Sequence, residues 1–173
     1  YGNISTASQY DYYRQFDRFG RAEYEELFDH ARQNGIIAFS TPFDPGNAQM
    51  LNSLQMPLFK IASCDIPYTD LLREVACFRK PIILSTGGST LDEVRRSLDI
   101  LEKQGAHEVV LLACTLSYPT RIDDANYRKI TALADAFPEY VIGVSDHVEP
   151  DQHMITGSIC AGLGAKAFEK HYT

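Results

Sequence analysis

Several features that define common protein classes are scarce or missing in this sequence of 173 residues. No basic stretch offsets the net charge of −7, which argues against a nucleic-acid partner or an anionic membrane surface. No apolar run approaches the ~18 residues of a membrane span, and no signal-peptide pattern opens the chain. The four cysteines lie far apart without a CxxC pair, so we expect buried free thiols in a cytoplasmic protein.

What the sequence does contain is a regular alternation of strand and helix patterns. Six short runs are rich in Val, Ile, Leu and Phe, and such nearly continuous hydrophobicity is typical of parallel strands covered on both faces. The predicted strands are 36–41, 58–63, 81–86, 108–114, 140–145 and 165–171. The predicted helices are 21–34, 47–55, 67–78, 90–104, 123–136 and 151–163. With 45% hydrophobic residues, we expect one core and one domain over 1–173.

This alternation indicates right-handed crossovers and a parallel sheet, which can be open or closed. An open dinucleotide-binding sheet should carry a glycine-rich turn after its first strand, and this sequence has none there. Polar residues instead follow every predicted strand, where a β/α barrel places its active site. We therefore predict an α/β fold of the TIM-type (β/α)8 barrel, here with about six β/α units. Because the chain opens with a helix, we expect the missing strands to be N-terminal.

Lys60 lies inside the apolar run 58–62, where an unpaired ammonium group is costly. Alternation along the strand points its side chain into the barrel. Two interpretations stay open: a structural ion pair, or a clamp for phosphate or carboxylate aided by Ser63 and Asp65. Other groups that can contribute to an anion pocket are strand-end hydroxyls and free backbone N–H groups, namely Thr41, Ser85, Thr115 and the Gly87-Gly88 turn.

Two histidines stand at the ends of consecutive predicted strands. By alternation, Ser145 shares one face with His147, and Glu169 shares one face with His171, while Asp146 points to the opposite side. Adjacent parallel strands are ~4.8 Å apart, so both imidazoles can reach a common ion. A lone histidine at a strand end is more often only hydrogen-bonded. A metal site and a pair of hydrogen-bonded histidines without a metal therefore both stay open. For a metal, Mn, Zn, Fe or Co are reasonable, with Glu169 as a further ligand.

Five motifs in series resemble the sialic acid synthase family, which includes N-acetylneuraminate, legionaminate and pseudaminate synthases and spore-coat polysaccharide relatives. The similarity extends from about Glu23 to Thr173, with the motifs in the family's order. The motifs are FKIASCD at 59–65, KPIILSTGG at 80–88, Cys114-Thr115 with Tyr118-Pro119, GVSDH at 143–147 and FEKHYT at 168–173.

The resemblance implies a β/α-barrel enzyme that condenses phosphoenolpyruvate with an N-acylated amino sugar such as N-acetylmannosamine, giving a nonulosonic (sialic-type) acid and phosphate. It also implies a divalent metal on His147 and His171, most often Mn, with Mg or Co as alternatives. Lys60 and Asp65 would be catalytic, with Asp65 in the place of a glutamate. The residues that would bind phosphoenolpyruvate are Thr41, Lys60, Ser63, Ser85 and Ser145. Those that would face the sugar are Tyr118, Phe43 and Asp44.

Departures from the family pattern keep other functions open. Asp65 is one methylene shorter than the family's glutamate, and Leu116 stands where Ser or Asn is usual. The alternatives are a catalytically impaired sugar- or phosphate-binding relative, or another metal-dependent aldolase or keto-acid-phosphate synthase on the same barrel. The resemblance further implies two earlier strands and a C-terminal antifreeze-like domain outside this sequence, in a full-length protein that forms a homodimer.

Overall fold

The computed structural model describes residues 8–14, 18–150 and 152–172. Its α-helices are α1 Gln9–Arg14, α2 Arg21–Gln33, α3 Pro45–Ser53, α4 Thr69–Cys77, α5 Leu91–Lys103, α6 Lys129–Ala136 and α7 Ile155–Gly162. Its β-strands are β1 Phe59–Ile61, β2 Ile82–Ser85, β3 Val109–Cys114, β4 Val141–Asp146 and β5 Phe168–Lys170, and short 3-10 turns cover Ser63–Asp65 and Ile122–Asp124. Among these residues, no helix is both long and apolar enough to cross a membrane.

The five strands form one parallel sheet whose spatial order follows the chain, β1-β2-β3-β4-β5. A doubly wound sheet reverses direction at a switch point, whereas strands of a β/α barrel progress around in sequence order. The arrangement is therefore a parallel half-barrel, and it confirms the predicted α/β class. The closed eight-stranded barrel stays a prediction.

The first predicted strand, 36–41, is wrong: this segment contains no strand. One backbone hydrogen bond joins it to the sheet, from Lys60 N to Ser40 O at 3.4 Å. Ile36, Ile37 and Phe39 are 64%, 69% and 41% exposed. A single bond does not make a ladder, and these side chains lack the packing that stabilises a buried strand. The described chain thus has five β/α-type strands where six were expected.

Two helix boundaries also differ for reasons of backbone conformation. The predicted helix 123–136 is divided into a 3-10 turn and α6, because Asn126 has a φ of +51°, which cannot continue a right-handed helix. The last helix begins at Ile155 rather than at 151, after Met154 with φ +48°; position 151 lies outside the described residues. The predicted capping box of α5 is confirmed, with reciprocal bonds between Thr90 and Glu93.

The core lies between the sheet and the helices on its outer side. Alternate strand residues enter it, together with the apolar faces of α4 and α5, and full burial of each large side chain contributes about 1.5–3 kcal/mol. Its strand members include Phe59, Ile61, Ile82, Leu84, Leu111, Ala113, Ile142 and Val144. The intervening residues point to the concave side, as predicted for Lys60. All four cysteines are free, but only Cys114 and Cys160 are buried.

Candidate active site at the strand ends

The concave face of the sheet carries an ion pair between its two outermost strands. The Lys60 ammonium on β1 lies 3.5 Å from a carboxylate oxygen of Glu169 on β5. A flat sheet would separate the first and fifth backbones by about 19 Å, too far for these side chains to meet. The contact therefore requires a strongly curved sheet, and it brings the strand ends to one mouth.

Hydroxyl groups complete this network. Lys60 Nζ donates to Ser85 Oγ at 2.8 Å, and Ser145 Oγ donates to Glu169 at 2.5 Å. Lys60, Ser85 and Ser145 are all buried. The structure thus contains the ion pair of the structural interpretation of Lys60. The same ammonium lies beside the hydroxyls that an anion clamp requires, so the two interpretations are compatible.

The turn after β2 forms the next part of the mouth. Gly87 N donates to Ser63 Oγ at 2.9 Å, which ties this turn to the 3-10 turn after β1. Gly88 has a φ of +68°, in the region that favours glycine, and a Cβ there would lie 2.7 Å from Leu116. Leu116 therefore covers the Gly87-Gly88 turn where a polar family residue was expected.

Asp65 is the buried carboxylate of the mouth. Its Oδ2 atom has no hydrogen-bond partner in the described part of the chain. Burial raises the pKa of Asp65, while the Cys64 side chain and the Lys60 charge oppose this only in part. A buried carboxyl group with raised pKa is typical of a proton-transfer residue, because it exchanges protons closer to neutral pH.

The two histidines meet at the rim, as the register predicted. Their ring centroids are 5.2 Å apart, and Tyr118 packs edge-on against His147 at 4.2 Å. Burial lowers the pKa of His147, and the neighbouring His171 lowers it further, so the neutral imidazole is favoured. Burial also raises the pKa of Tyr118 to about 12, which keeps its hydroxyl protonated. A cavity of about 140 Å³ opens between Tyr118, His147 and His171.

The ring nitrogens of His147 and His171 are suitable ligands for a divalent cation, because neutral imidazole is the form that binds metals. The described residues contain no group of three or more His, Cys, Asp or Glu arranged to hold an ion. Two histidines would therefore be the protein ligands, with the remaining positions open to substrate and water. Glu169, predicted as a further ligand, is bonded to Ser145 and paired with Lys60; its role as a ligand stays a prediction.

Other predicted residues lie outside this network of contacts. Asp44 caps α3, accepting from the backbone N–H and side-chain amide of Asn47 at 2.8 and 2.6 Å. The Phe43 side chain is exposed and Thr41 is partly buried; their roles stay predictions. Thr115 bonds to Ala125 O and Lys129 on the helix side, so it does not contribute to the mouth.

Sequence reasoning missed a second ion pair, on the helix side of the same strands. Asp146 pairs with Lys170 at 2.8 Å. Burial acts to raise the pKa of Asp146, but the bonds from Lys170 and its other donors outweigh burial and lower it. The signal was present in the sequence: opposite charges occupy matching positions one residue before each histidine.

A curved parallel β/α sheet with a charged, hydroxyl-rich mouth at its carboxyl end matches the place where β/α barrels carry their active sites. The model of the NeuB family matches residues 2–173. The chain belongs to the NeuB family, which confirms the resemblance inferred from the motifs.

Curated relatives support this family membership. The N,N'-diacetyllegionaminic acid synthase of Campylobacter jejuni is 38% identical over 152 residues, 87% of this chain and 44% of that protein. The spore coat polysaccharide biosynthesis protein SpsE of Bacillus subtilis is 38% identical over 149 residues, 85% of this chain and 39% of that protein. The chain thus spans less than half the length of these relatives.

A solved structure shows the same fold. The crystal structure of an N-acetylneuraminic acid (sialic acid) synthetase from Leptospira borgpetersenii, in complex with citrate, superposes with a TM-score of 0.82. The two sequences are 35% identical, and the match covers 90% of this chain and 53% of that one.

Proposed function

We propose that this chain carries the phosphoenolpyruvate-binding and metal-binding part of a synthase. The enzyme would condense phosphoenolpyruvate with an N-acylated amino sugar, such as N-acetylmannosamine, to a nonulosonic acid and phosphate. The observation that supports this best is the meeting of Lys60 and Glu169 across the curved sheet, beside the hydroxyls of Ser85 and Ser145. Membership of the NeuB family, which includes sialic-type acid synthases, supports this reaction class.

The anionic substrate would bind at Lys60. A buried ammonium with Ser63 and Ser85 nearby offers one positive charge and two hydroxyls to phosphate or carboxylate oxygens. In the free site Glu169 offsets the Lys60 charge, and it would yield that contact when the ligand arrives. These groups would also stabilise the departing phosphate as its negative charge develops.

The histidine pair would hold the divalent cation, with Mn the first candidate and Mg or Co as alternatives. When bound, such a cation supplies Lewis acidity that polarises an aldehyde oxygen. Burial lowers the pKa of His147, which favours the metal-binding neutral form, and its ring packs against Tyr118. The cavity beside Tyr118 would accommodate the acceptor sugar.

Asp65 would move the proton. The reaction joins C3 of phosphoenolpyruvate to the aldehyde carbon of the sugar, and water then adds at C2. Asp65 would accept one proton from that water and pass it to the former aldehyde oxygen, which becomes a hydroxyl. The tetrahedral carbon would then collapse to a ketone as the C–O bond to phosphate breaks, and the second water proton would leave with the phosphate. The raised pKa of Asp65 suits this exchange because the group can both take and return a proton.

Phosphate release tests the proposal. The full-length protein is incubated with Mn²⁺, phosphoenolpyruvate and N-acetylmannosamine or its 2,4-diamino analogues, and we expect phosphate to appear only with a sugar. Phosphoenolpyruvate binding without phosphate release for any sugar would favour the impaired binding relative, which the changes at Asp65 and Leu116 motivate. Sugar-dependent carbon–carbon bond formation from pyruvate, without phosphate, would instead identify an aldolase. The homodimer stays a prediction, which light scattering of the full-length protein checks.

Removing either rim histidine tests the metal ligands. We expect His147→Ala or His171→Ala to abolish metal-dependent phosphate release and leave the fold nearly intact, because both rings lie at the rim outside the core. His107→Ala, at an exposed position, is the matched control. Wild-type activity in either rim variant after chelation and Mn²⁺ readdition would show that the ligand assignment is wrong.

A further inference from the structure

Two consecutive polar residue pairs join β4 and β5 where the strands end. Ser145 is in register with Glu169, and Asp146 with Lys170; His147 and His171 directly follow the two strands. The first pair faces the mouth and is hydrogen-bonded. The second faces the helices and is an ion pair. The metal-binding candidates thus follow directly after a cross-strand charge contact.

The Asp146 carboxylate is saturated with donors from four parts of the chain. One oxygen accepts from the Tyr127 hydroxyl at 2.9 Å and from Val148 N at 3.1 Å. The other accepts from Thr156 at 2.8 Å and from Lys170 Nζ at 2.8 Å. The loop before α6, the helix α7 and both strands therefore meet on one buried side chain.

The backbone that follows His147 is held by both members of this pair. The N–H of Val148 donates to Asp146, and the C=O of Val148 accepts from Lys170. The C=O of His147 accepts from Thr120 N at 2.8 Å. The peptide units that follow His147 are therefore bound by side chains of both strands, next to the Cα atom that carries the imidazole.

A purely stabilising role explains this arrangement poorly. A buried ion pair loses about as much in desolvation as it gains in attraction, and apolar replacements are often as stable. What such a pair provides is a defined geometry, because charge-assisted bonds are directional. The geometry defined here is the 5.2 Å spacing of the two imidazoles.

We infer that Asp146 and Lys170 are positioning residues, whose ion pair on the helix side holds His147 and His171 at the spacing at which both bind one divalent cation. This inference rests on the proposed function, because it assigns a purpose to the histidine pair. Residues that orient ligands in this indirect way typically change metal affinity 10–100-fold when removed.

Titration of Mn²⁺ alone into the full chain tests the inference without any reaction. We expect Asp146→Asn to weaken Mn²⁺ binding about 10–100-fold. The control is Ser97→Ala, which removes a buried hydroxyl bonded to Ile66 O and Glu93 O in the core; it should bind Mn²⁺ within about twofold of wild type. In turnover, Asp146→Asn should lower kcat and leave the KM for phosphoenolpyruvate nearly unchanged, because Lys60 is untouched.

A conservative pair of variants keeps the inference testable if Asp146→Asn fails to fold. Lys170→Arg retains the charge and should bind Mn²⁺ better than Lys170→Met. Equal affinity of Lys170→Arg, Lys170→Met and wild type would show that the ion pair is merely structural. An unchanged 5.2 Å ring spacing in a metal-free crystal structure of Asp146→Asn would overturn the inference as well.

The outcome for the wild-type chain separates this inference from the proposed function. Mn²⁺ binding without phosphate release would refute the synthase activity, while the Mn²⁺ affinities of the variants would still decide the role of Asp146. Failure of the wild-type chain to bind Mn²⁺ would overturn the inference itself. If phosphate release survives chelation and phosphoenolpyruvate binding is normal, the anion site at Lys60 would be supported. Only the assigned role of the metal would be refuted.

Discussion

Two ion pairs tie the strands of this half-barrel together, and they differ in geometry and surroundings. Lys60–Glu169 lies on the mouth side with a separation of 3.5 Å, and the Glu169 side chain is 39% exposed. Asp146–Lys170 lies on the helix side at 2.8 Å, and the Asp146 side chain is 7% exposed. The long, open pair can exchange with a ligand. The short, enclosed pair is held by further donors to Asp146, and we expect it to fix a geometry instead.

The largest expected effect is on stability, at the enclosed pair. Asp146→Ala leaves the Lys170 ammonium partly buried and removes the acceptor of Tyr127 and Thr156. We expect the free energy of unfolding to fall by about 3–5 kcal/mol, measured by urea denaturation. Asp99→Ala, on the exposed side of α5, is the control and should change it by less than about 0.5 kcal/mol. A loss for Asp146→Ala no larger than that for Asp99→Ala would show that the enclosed pair does not stabilise the fold.

At the open pair, Lys60–Glu169, we expect a large loss of activity and a small loss of stability. Lys60→Met removes a cation whose partner Glu169 keeps solvent and its bond from Ser145. We expect phosphate release to fall about 10²–10³-fold, while the free energy of unfolding changes by about 1 kcal/mol or less. The exposed Lys103→Met controls for the loss of charge. A large loss of stability with retained activity would mean that Lys60 is structural.

A smaller, pH-dependent effect is expected at Asp65, which lacks the partners that Asp146 has. Its pKa in the folded chain is raised above the ordinary 3.8, so its contribution to stability is complete below that value and is lost as pH rises through the raised pKa. Asp65→Asn should therefore be more stable than wild type at neutral pH, and this gain should disappear in acid.

Thermal unfolding of both proteins across this pH range measures the effect. Asp70→Asn, at an exposed position of α4, should show no such gain. A stability gain for Asp65→Asn that persists at low pH would have another cause than the carboxylate charge.

The smallest expected effect concerns a single donor of the enclosed pair. Tyr127→Phe removes one of the bonds to Asp146 and leaves the others. We expect a loss of about 0.5–1.5 kcal/mol in the free energy of unfolding. Tyr68→Phe, at an exposed position, is the comparison. A loss as large as that of Asp146→Ala would show that the donors act as one cooperative unit.

Local periodicity was enough to predict which face each strand residue occupies. Strand side chains alternate strictly, so Lys60 could be assigned to the barrel interior, and Ser145 to the face opposite Asp146. The bonds between Ser145 and Glu169, and between Asp146 and Lys170, confirm these faces. The register also predicted that the two histidines would meet.

Features that depend on distant parts of the chain could not be predicted in this way. Segment 36–41 has the composition of a strand, but strand formation depends on its neighbours, and one bond to Lys60 does not supply a ladder. The Lys60–Glu169 contact follows from sheet curvature, which no local pattern encodes. Asn126 has a positive φ and interrupts a helical pattern. The sequence shows only that Asn tolerates such a conformation, not that it adopts it here.

The contact between the first and fifth strands acts as a chord across the arc of the sheet. An anion that takes the Lys60 charge competes with Glu169, so ligand occupancy and the curvature of the sheet become thermodynamically linked. The linkage is reciprocal: the factor by which a bound anion shifts the equilibrium of sheet curvature equals the factor by which that curvature change shifts anion affinity. Strand neighbours added beyond β1 or β5 would thus tune the binding of a ligand that they need not touch.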